Sequence, residues 1–255
     1  LKSAAPRLAF LRIHLRHIGQ SRHTLSNEHK RLTSLKQRQY DITIGSDRDR
    51  IVEAALDLLD QTGIEGLTMR RLAETLNVQA PALYWHFPNK PALLDEMAEA
   101  LLAGVAARIV RSDDYGEVLR QCASELRQAL LSRRDGARVF AGTFVPRPNV
   151  LRLAEEIVAV LTKAGFDTRT ATRAMFSLLY FVLGFVIEEQ ALQERAGTDN
   201  PASRIKTALQ ALPQTEFPNL REALSELVDR DQDARFAFGV EAIIRGLVDH
   251  IDGKS

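Results

Sequence analysis

The stretch IVEAALDLLDQTGIEGLTMRRLAETLNVQAPALYWHFPNKPALLDEMA, residues 51–98, carries the pattern that decides the fold. Ile51, Ala54, Ala55, Leu58 and Leu59 recur at the spacing of an amphipathic helix. Ser46 and Asp49 form a capping box ahead of it, and Gly63 predicts its end, because glycine tolerates the left-handed conformation beyond a helix. Thr68 reads as the N-cap of a second helix that turns Leu72, Ala73 and Leu76 inward and Arg70 and Arg71 outward. Asn77 and Val78 then make a tight turn, since asparagine accepts the left-handed position. A third short helix follows from Gln79 to about Phe87, with Pro81 in its first turn, where the missing N–H is not needed. Two short helices on a tight turn behind a supporting helix outline a helix-turn-helix DNA reader, although such pairs also serve as plain core. Tyr84, Trp85 and His86 are consecutive on a helix of about two turns, so they point in different directions and at least one faces out. With Lys90 they suit phosphate contacts that fix register on DNA. The alternatives are that Trp85 plugs the core and that His86 caps or packs.

Around this stretch the composition is that of an ordinary soluble globular protein with a real core. The chain has 255 residues, 45% of them hydrophobic, with 14 Gly and 9 Pro, too few breakers for disorder. Its 34 Lys+Arg against 33 Asp+Glu exclude polycation behaviour. The charge is uneven: residues 1–45 hold nine Lys or Arg and two acids, net +7, leaving −6 for the rest. A leader of this kind reads as a nucleic-acid arm, an organellar address, or an extension that is not native and does nothing specific; it lacks the apolar segment of a secretory signal. The single cysteine, Cys122, excludes an internal disulfide and a multi-cysteine zinc site, which fits a reducing, cytoplasmic setting. The longest apolar run, Met175 to Ile187, is thirteen residues, short of the roughly 20 of a membrane span. It predicts a buried helix and no membrane partner.

Little here builds an enzyme. Beyond the leader only His86 and His250 remain, and there is no P-loop, GxGxxG or HExxH. Glu155-Glu156 and Glu188-Glu189 are adjacent pairs that splay apart on helices, which predicts solvated faces. Further helices are expected from near Lys90 through Val105, at about Gly116 to Arg133, at about Thr168 to Leu192 and at about Asp233 to Ile251. Phe140 to Pro148 resists regular structure, and Gln193 to Gln232 reads as a connection with one helix near Leu220 to Val228. The last helix places Phe236, Val240, Ile243, Ile244, Leu247 and Ile251 on one stripe, with Gly239 and Gly246 allowing close approach. With the helix at about Thr168 to Leu192, this suits an isologous four-helix dimer interface.

Residues 51–98, and LYWHFPNKPALLD (Leu83 to Asp95) in particular, resemble the DNA-binding domain of the tetracycline-repressor (TetR) family. RDGARVFAGT (Arg134 to Thr143) and LGFVIEEQ (Leu183 to Gln190) extend the similarity, which covers about residues 46–251. The resemblance implies an all-helical homodimer that represses transcription by holding a palindromic double-stranded operator and lets go when a small inducer binds. It divides the chain into a basic extension (1–45), a helix-turn-helix domain (46–92) and a ligand-binding and dimerisation domain (93–255). It places Arg70 at the base-reading arginine, Pro81 and Ala82 on the reading face, and Tyr84, Trp85, His86 and Lys90 among the backbone contacts. Ala80 and Ala82 stand where tetracycline-responsive members carry polar base readers, so the operator differs. The inducer pocket falls to Leu126, Phe140, Thr143, Phe144 and Pro146, with Cys122 and Ala106 behind them, unless these are ordinary core. The metal-ligating histidine of tetracycline-responsive members reads Phe140, and their two polar drug-edge positions read Ala106 and Cys122. Hard Mg²⁺ makes poor use of a phenyl ring, so a hydrophobic or aromatic inducer without metal or cofactor is expected. Glu188 aligns near an assisting carboxylate, which alone supports little. A dimeric small-molecule binder without operator binding is the alternative.

Overall fold

The computed structural model describes residues 47–141, 143, 146–195 and 201–248, and among them every regular element is a helix. Contacts divide the chain into Leu1–Ile51 and Val52–Ser255. Of the first unit, only residues 47–51 are described, as the start of a helix; the basic leader and Ser46 of the expected capping box lie outside the described residues.

The N-terminal helix, α1, spans 47–66. Gly63 adopts the expected left-handed conformation (φ +69°) but does not end the helix: helical pairing resumes through residue 66, and Leu67 N–H donates to the Gly63 carbonyl at 3.1 Å. α2 (Met69–Thr75) starts at Thr68, whose hydroxyl accepts from Arg71 N–H at 3.2 Å. Asn77 takes the turn at φ +53°, and α3 (Ala80–His86) follows with proline in its first turn. Leu67, Leu72, Leu83 and Phe87 are buried between these helices.

The expected long helix from Lys90 through Val105 is two. α4 (Lys90–Leu101) stops before a turn at Gly104 (φ +73°), and α5 (Val105–Arg108) follows. The expected domain boundary at 92/93 falls inside α4. α6 (Tyr115–Leu131) runs to the Asp135 turn (φ +55°), and α7 (Gly136–Ala141) places Phe140 in a helix rather than in irregular chain. α8 (Pro148–Lys163) is joined to α4 by Asn149, whose N–H donates to the Glu99 carboxylate at 2.9 Å. α9 (Thr168–Arg195) packs against α6, α7 and α8. The connection after it holds three helices instead of one, α10 (Pro201–Ala211), α11 (Pro218–Glu222) and α12 (Leu224–Val228), before α13 (Gln232–Leu247) closes on α6 and α9.

Two readings of the C-terminal half change. Phe236, Val240, Ile244 and Leu247 of the stripe on α13 are buried within this chain, and a Cβ on Gly239 would stand 2.2 Å from Phe181, so its close approach is to α9 of the same subunit. Ile251 lies outside the described residues. Residues 168–194 are long and apolar enough to cross a membrane by length and composition, with mean hydropathy 1.7, yet only 28% of that apolar window is buried. Tyr180 (64%) and Phe238 (78%) are the large apolar side chains left exposed on α9 and α13.

Glu188 is exposed, but Glu189 is buried, contrary to the solvated-face expectation. Arg127 explains it. The guanidinium donates through Nε (3.0 Å) and Nη2 (2.8 Å) to the two Glu189 oxygens and through Nη1 (2.6 Å) to Asp233. Its Cζ lies 4.8 Å from the Phe236 ring centroid and 5.5 Å from that of Phe185. A bidentate pair between aromatic faces makes a buried carboxylate tolerable.

Candidate functional site

Chemistry-bearing residues gather in two places, the α2–α3 head and a cavity behind it. In the head, Pro81, Ala82, Tyr84 and Trp85 are exposed on α3, Trp85 by 89%, so it is not a core plug. His86 is half-buried. Leu83 is the buried side chain of α3, and Phe87 beyond it is fully buried, so two anchors hold the helix while its other side faces solvent. Arg70 extends from α2 with its side chain 87% exposed, tethered to Glu74 at 3.0 Å. Such an exposed pair contributes little and releases the guanidinium easily. Lys90 donates from Nζ to the Ile64 carbonyl at 2.9 Å. One of its three N–H groups thus joins α4 to the end of α1, and an ammonium has two more to offer. Asp135 supports the same corner, accepting from Ile64 N–H at 2.8 Å.

On the outer face of α1, Arg133 reaches Glu53 (2.6 Å), Asp57 (3.0 Å) and Asp60 (2.8 Å). Their convergence on one guanidinium depends on the Asp135 turn, which brings Arg133 to this face. Gln190 of α9 completes the junction, donating to the carbonyls of Leu130 (3.2 Å) and Arg133 (2.9 Å) at the end of α6.

The cavity, of about 490 Å³, lies among α6, α8 and α9. Of the expected pocket residues, Cys122, Leu126, Phe140, Thr143 and Pro146 line it. Ala106 does not, because the chain turns at residues 102–104 and Leu102 meets the cavity instead. Phe144 lies outside the described residues. The sequence reading missed one wall altogether: Val150, Leu153, Ala154 and Ile157 of α8 line the cavity at i, i+3, i+4, i+7, a periodicity that was there to be read. Met175, Phe176, Leu179 and Leu183 of α9 form the opposite wall. The Thr143 hydroxyl donates to the Phe140 carbonyl at 2.7 Å and keeps its oxygen as an acceptor. Among the described residues, no group of three or more His, Cys, Asp or Glu is set to hold a metal ion.

Burial, and secondarily the charge of Glu156, push the Cys122 thiol up to about 12 from an ordinary 9. Only the thiolate is nucleophilic. At pH 8 the native protein is therefore expected to react with iodoacetamide about a thousandfold more slowly than a free cysteine. Because the unfolded chain releases this proton first, the thiol's contribution to stability is full below about pH 9 and declines as pH rises toward 12. Mass spectrometry of alkylation against pH checks this; a native labelling rate that levels off near pH 9 would contradict it.

Comparison with known proteins places these features in context. Residues 51–97 match the profile described as bacterial regulatory proteins, tetR family, and residues 111–251 that of the tetracyclin repressor-like C-terminal domain. The chain is 43% identical over 199 residues to the tetracycline repressor protein class A from transposon 1721 of Escherichia coli, covering 77% of this chain and 88% of the relative. A crystal structure described as a "possible TetR family transcriptional regulator" from Streptomyces coelicolor A3(2) superposes with a TM-score of 0.71 at 42% identity, over 78% of this chain and 98% of that one. The class A repressor in complex with 5a,6-anhydrotetracycline and magnesium superposes with a TM-score of 0.59 at 36% identity, covering 79% and 97% of the two chains.

Proposed function

Because the chain belongs to the TetR family of ligand-responsive transcriptional regulators, we propose that it holds a palindromic operator as a homodimer in the cytoplasm and releases it when a small apolar ligand fills the cavity among α6, α8 and α9. The observation that carries this reading is the helix-turn-helix with Tyr84 and Trp85 exposed on α3 and Arg70 extended from α2. A phenol and an indole N–H serve phosphate contacts. Arg70 supplies the guanidinium fork that takes both acceptors of a guanine in the major groove, and Ala82 offers a methyl contact to thymine. Pro81 presets the reading helix, while His86 and Lys90 complete its backbone contacts. The exposed apolar side chains on α9 and α13 give a second copy its seat, and two-fold symmetry then demands a palindrome. The net negative charge outside the leader repels DNA except at the heads, which favours discrete sites over coating.

The test is to recover fragments from genomic DNA of the source with the purified protein and sequence them. A shared palindrome among a few enriched fragments supports the reading. Uniform recovery or none, from folded dimeric protein free of co-purified ligand, turns it toward a small-molecule binder without operator function. Affinity is expected to fall steeply with salt, as phosphate contact requires. Arg70→Ala is expected to cost about 1–3 kcal/mol on the specific operator and far less on random DNA. Equal losses on both, measured by fluorescence anisotropy, would remove Arg70 from base reading.

The cavity does not fit a magnesium chelate. Among the described lining residues Phe140, Cys122 and aliphatic side chains prevail, and hard Mg²⁺ calls for several oxygen donors and water. Calorimetry with tetracycline is expected to show no magnesium-dependent heat in the micromolar range, and such heat would refute a metal-free inducer.

A further inference from the structure

Resting on that reading of the cavity, we infer that its ligand is an uncharged molecule of at least three fused rings, and that the cavity ranks ions of the same shape and either sign below it. The size follows from volume. A buried apolar cavity of about 150 Å³ accommodates one benzene; this one, at about 490 Å³, holds about three such volumes, and each ring fused to another takes less room than a separate benzene.

The charge preference follows from the lining. Among the described lining residues none carries a charge; Cys122, Thr143 and Tyr180 are its polar side chains. The Thr143 hydroxyl gives its hydrogen to the Phe140 carbonyl and keeps an acceptor oxygen. With Cys122, a weak S–H donor, and the Tyr180 phenol, the described lining thus offers neutral groups only. An ion entering such a space sheds water and meets no opposite charge, which is costly for either sign.

The experiment uses the intact chain and three probes of one shape: anthracenemethanol, aminomethylanthracene (a cation at pH 7) and anthracenecarboxylate. Binding is followed by probe fluorescence. The alcohol is expected to bind, and the ammonium and the carboxylate each to bind more weakly by about tenfold or more. Ala154→Phe, which fills the cavity from α8, is expected to abolish binding of the alcohol. Should that variant fold poorly by circular dichroism, Met175→Phe narrows the same space from α9. A carboxylate or an ammonium that binds as tightly as the alcohol overturns the inference, as does alcohol binding that survives both variants. Retention of operator DNA by the ligand-free protein separates the two levels. If DNA is retained and no probe binds, the ligand inference falls while the regulator stands. If the alcohol binds in the expected order and no DNA is retained, operator binding falls alone.

Discussion

Arg127→Met is expected to destabilise the protein by about 3–5 kcal/mol, because breaking a buried ion pair from one side leaves an uncompensated charge. The side chains of Arg127 and Glu189 are 13% and 8% exposed, and both carboxylate oxygens of Glu189 are held by the one guanidinium. Asp233, 88% exposed, rehydrates at little cost and adds correspondingly little. Loss of the guanidinium from between Phe185 and Phe236 adds a packing defect at the α6–α9–α13 junction. The double variant Arg127→Met/Glu189→Leu is expected to recover most of the loss, since an apolar pair of similar volume needs no compensation. Arg127→Lys recovers little: a single ammonium cannot reproduce the fork or the stacking. Urea unfolding measures all three. A loss below about 1 kcal/mol for Arg127→Met would mean that the pair is solvated, as in surface pairs.

This pair also marks where the sequence stops being legible. Glu189 and Glu188 are adjacent acids on one helix, and no local rule tells which is buried; that depends on Arg127, 62 residues away, and on two rings from different helices. The head is the opposite case. Its helices are set by apolar spacing, by the Thr68 cap and by the Asn77 turn, all local signals, and each stands where the spacing puts it. The breaks in the second half were harder to read. Gly104 and Asp135 both take positive φ; one divides a continuous apolar pattern and hid α5 inside a longer expectation, while the other begins α7 at once, in chain whose Phe140 was expected to be irregular. The cavity was legible on the α6–α7 side, where the family resemblance pointed to it. Its α8 wall carried an ordinary amphipathic period, and a sequence period does not tell a face packed on core from a face lining a void.

Leu83→Ala is the substitution expected to separate reading from folding. α3 has seven residues, too few to persist as a helix unaided. Leu83 is 1% exposed and Phe87 fully buried, and the remaining α3 side chains contribute little to the core. Truncating a buried leucine costs about 2–5 kcal/mol. In this head the cost falls first on local opening of α3, because the helices behind it have larger buried faces of their own. Operator retention is therefore expected to be lost in a protein that keeps most of its helicity and still binds apolar probes. Trp85 is the only tryptophan, but at 89% exposure it already emits from water and does not report the opening. Hydrogen exchange does: amides of residues 80–87 are expected to exchange faster, with those of α6 and α9 unchanged. Native exchange in α3 together with unchanged operator affinity would show that the reading helix does not depend on this anchor. Uniform acceleration across α6 and α9 would place the head and the body in one cooperative unit, and operator loss would then follow from global unfolding.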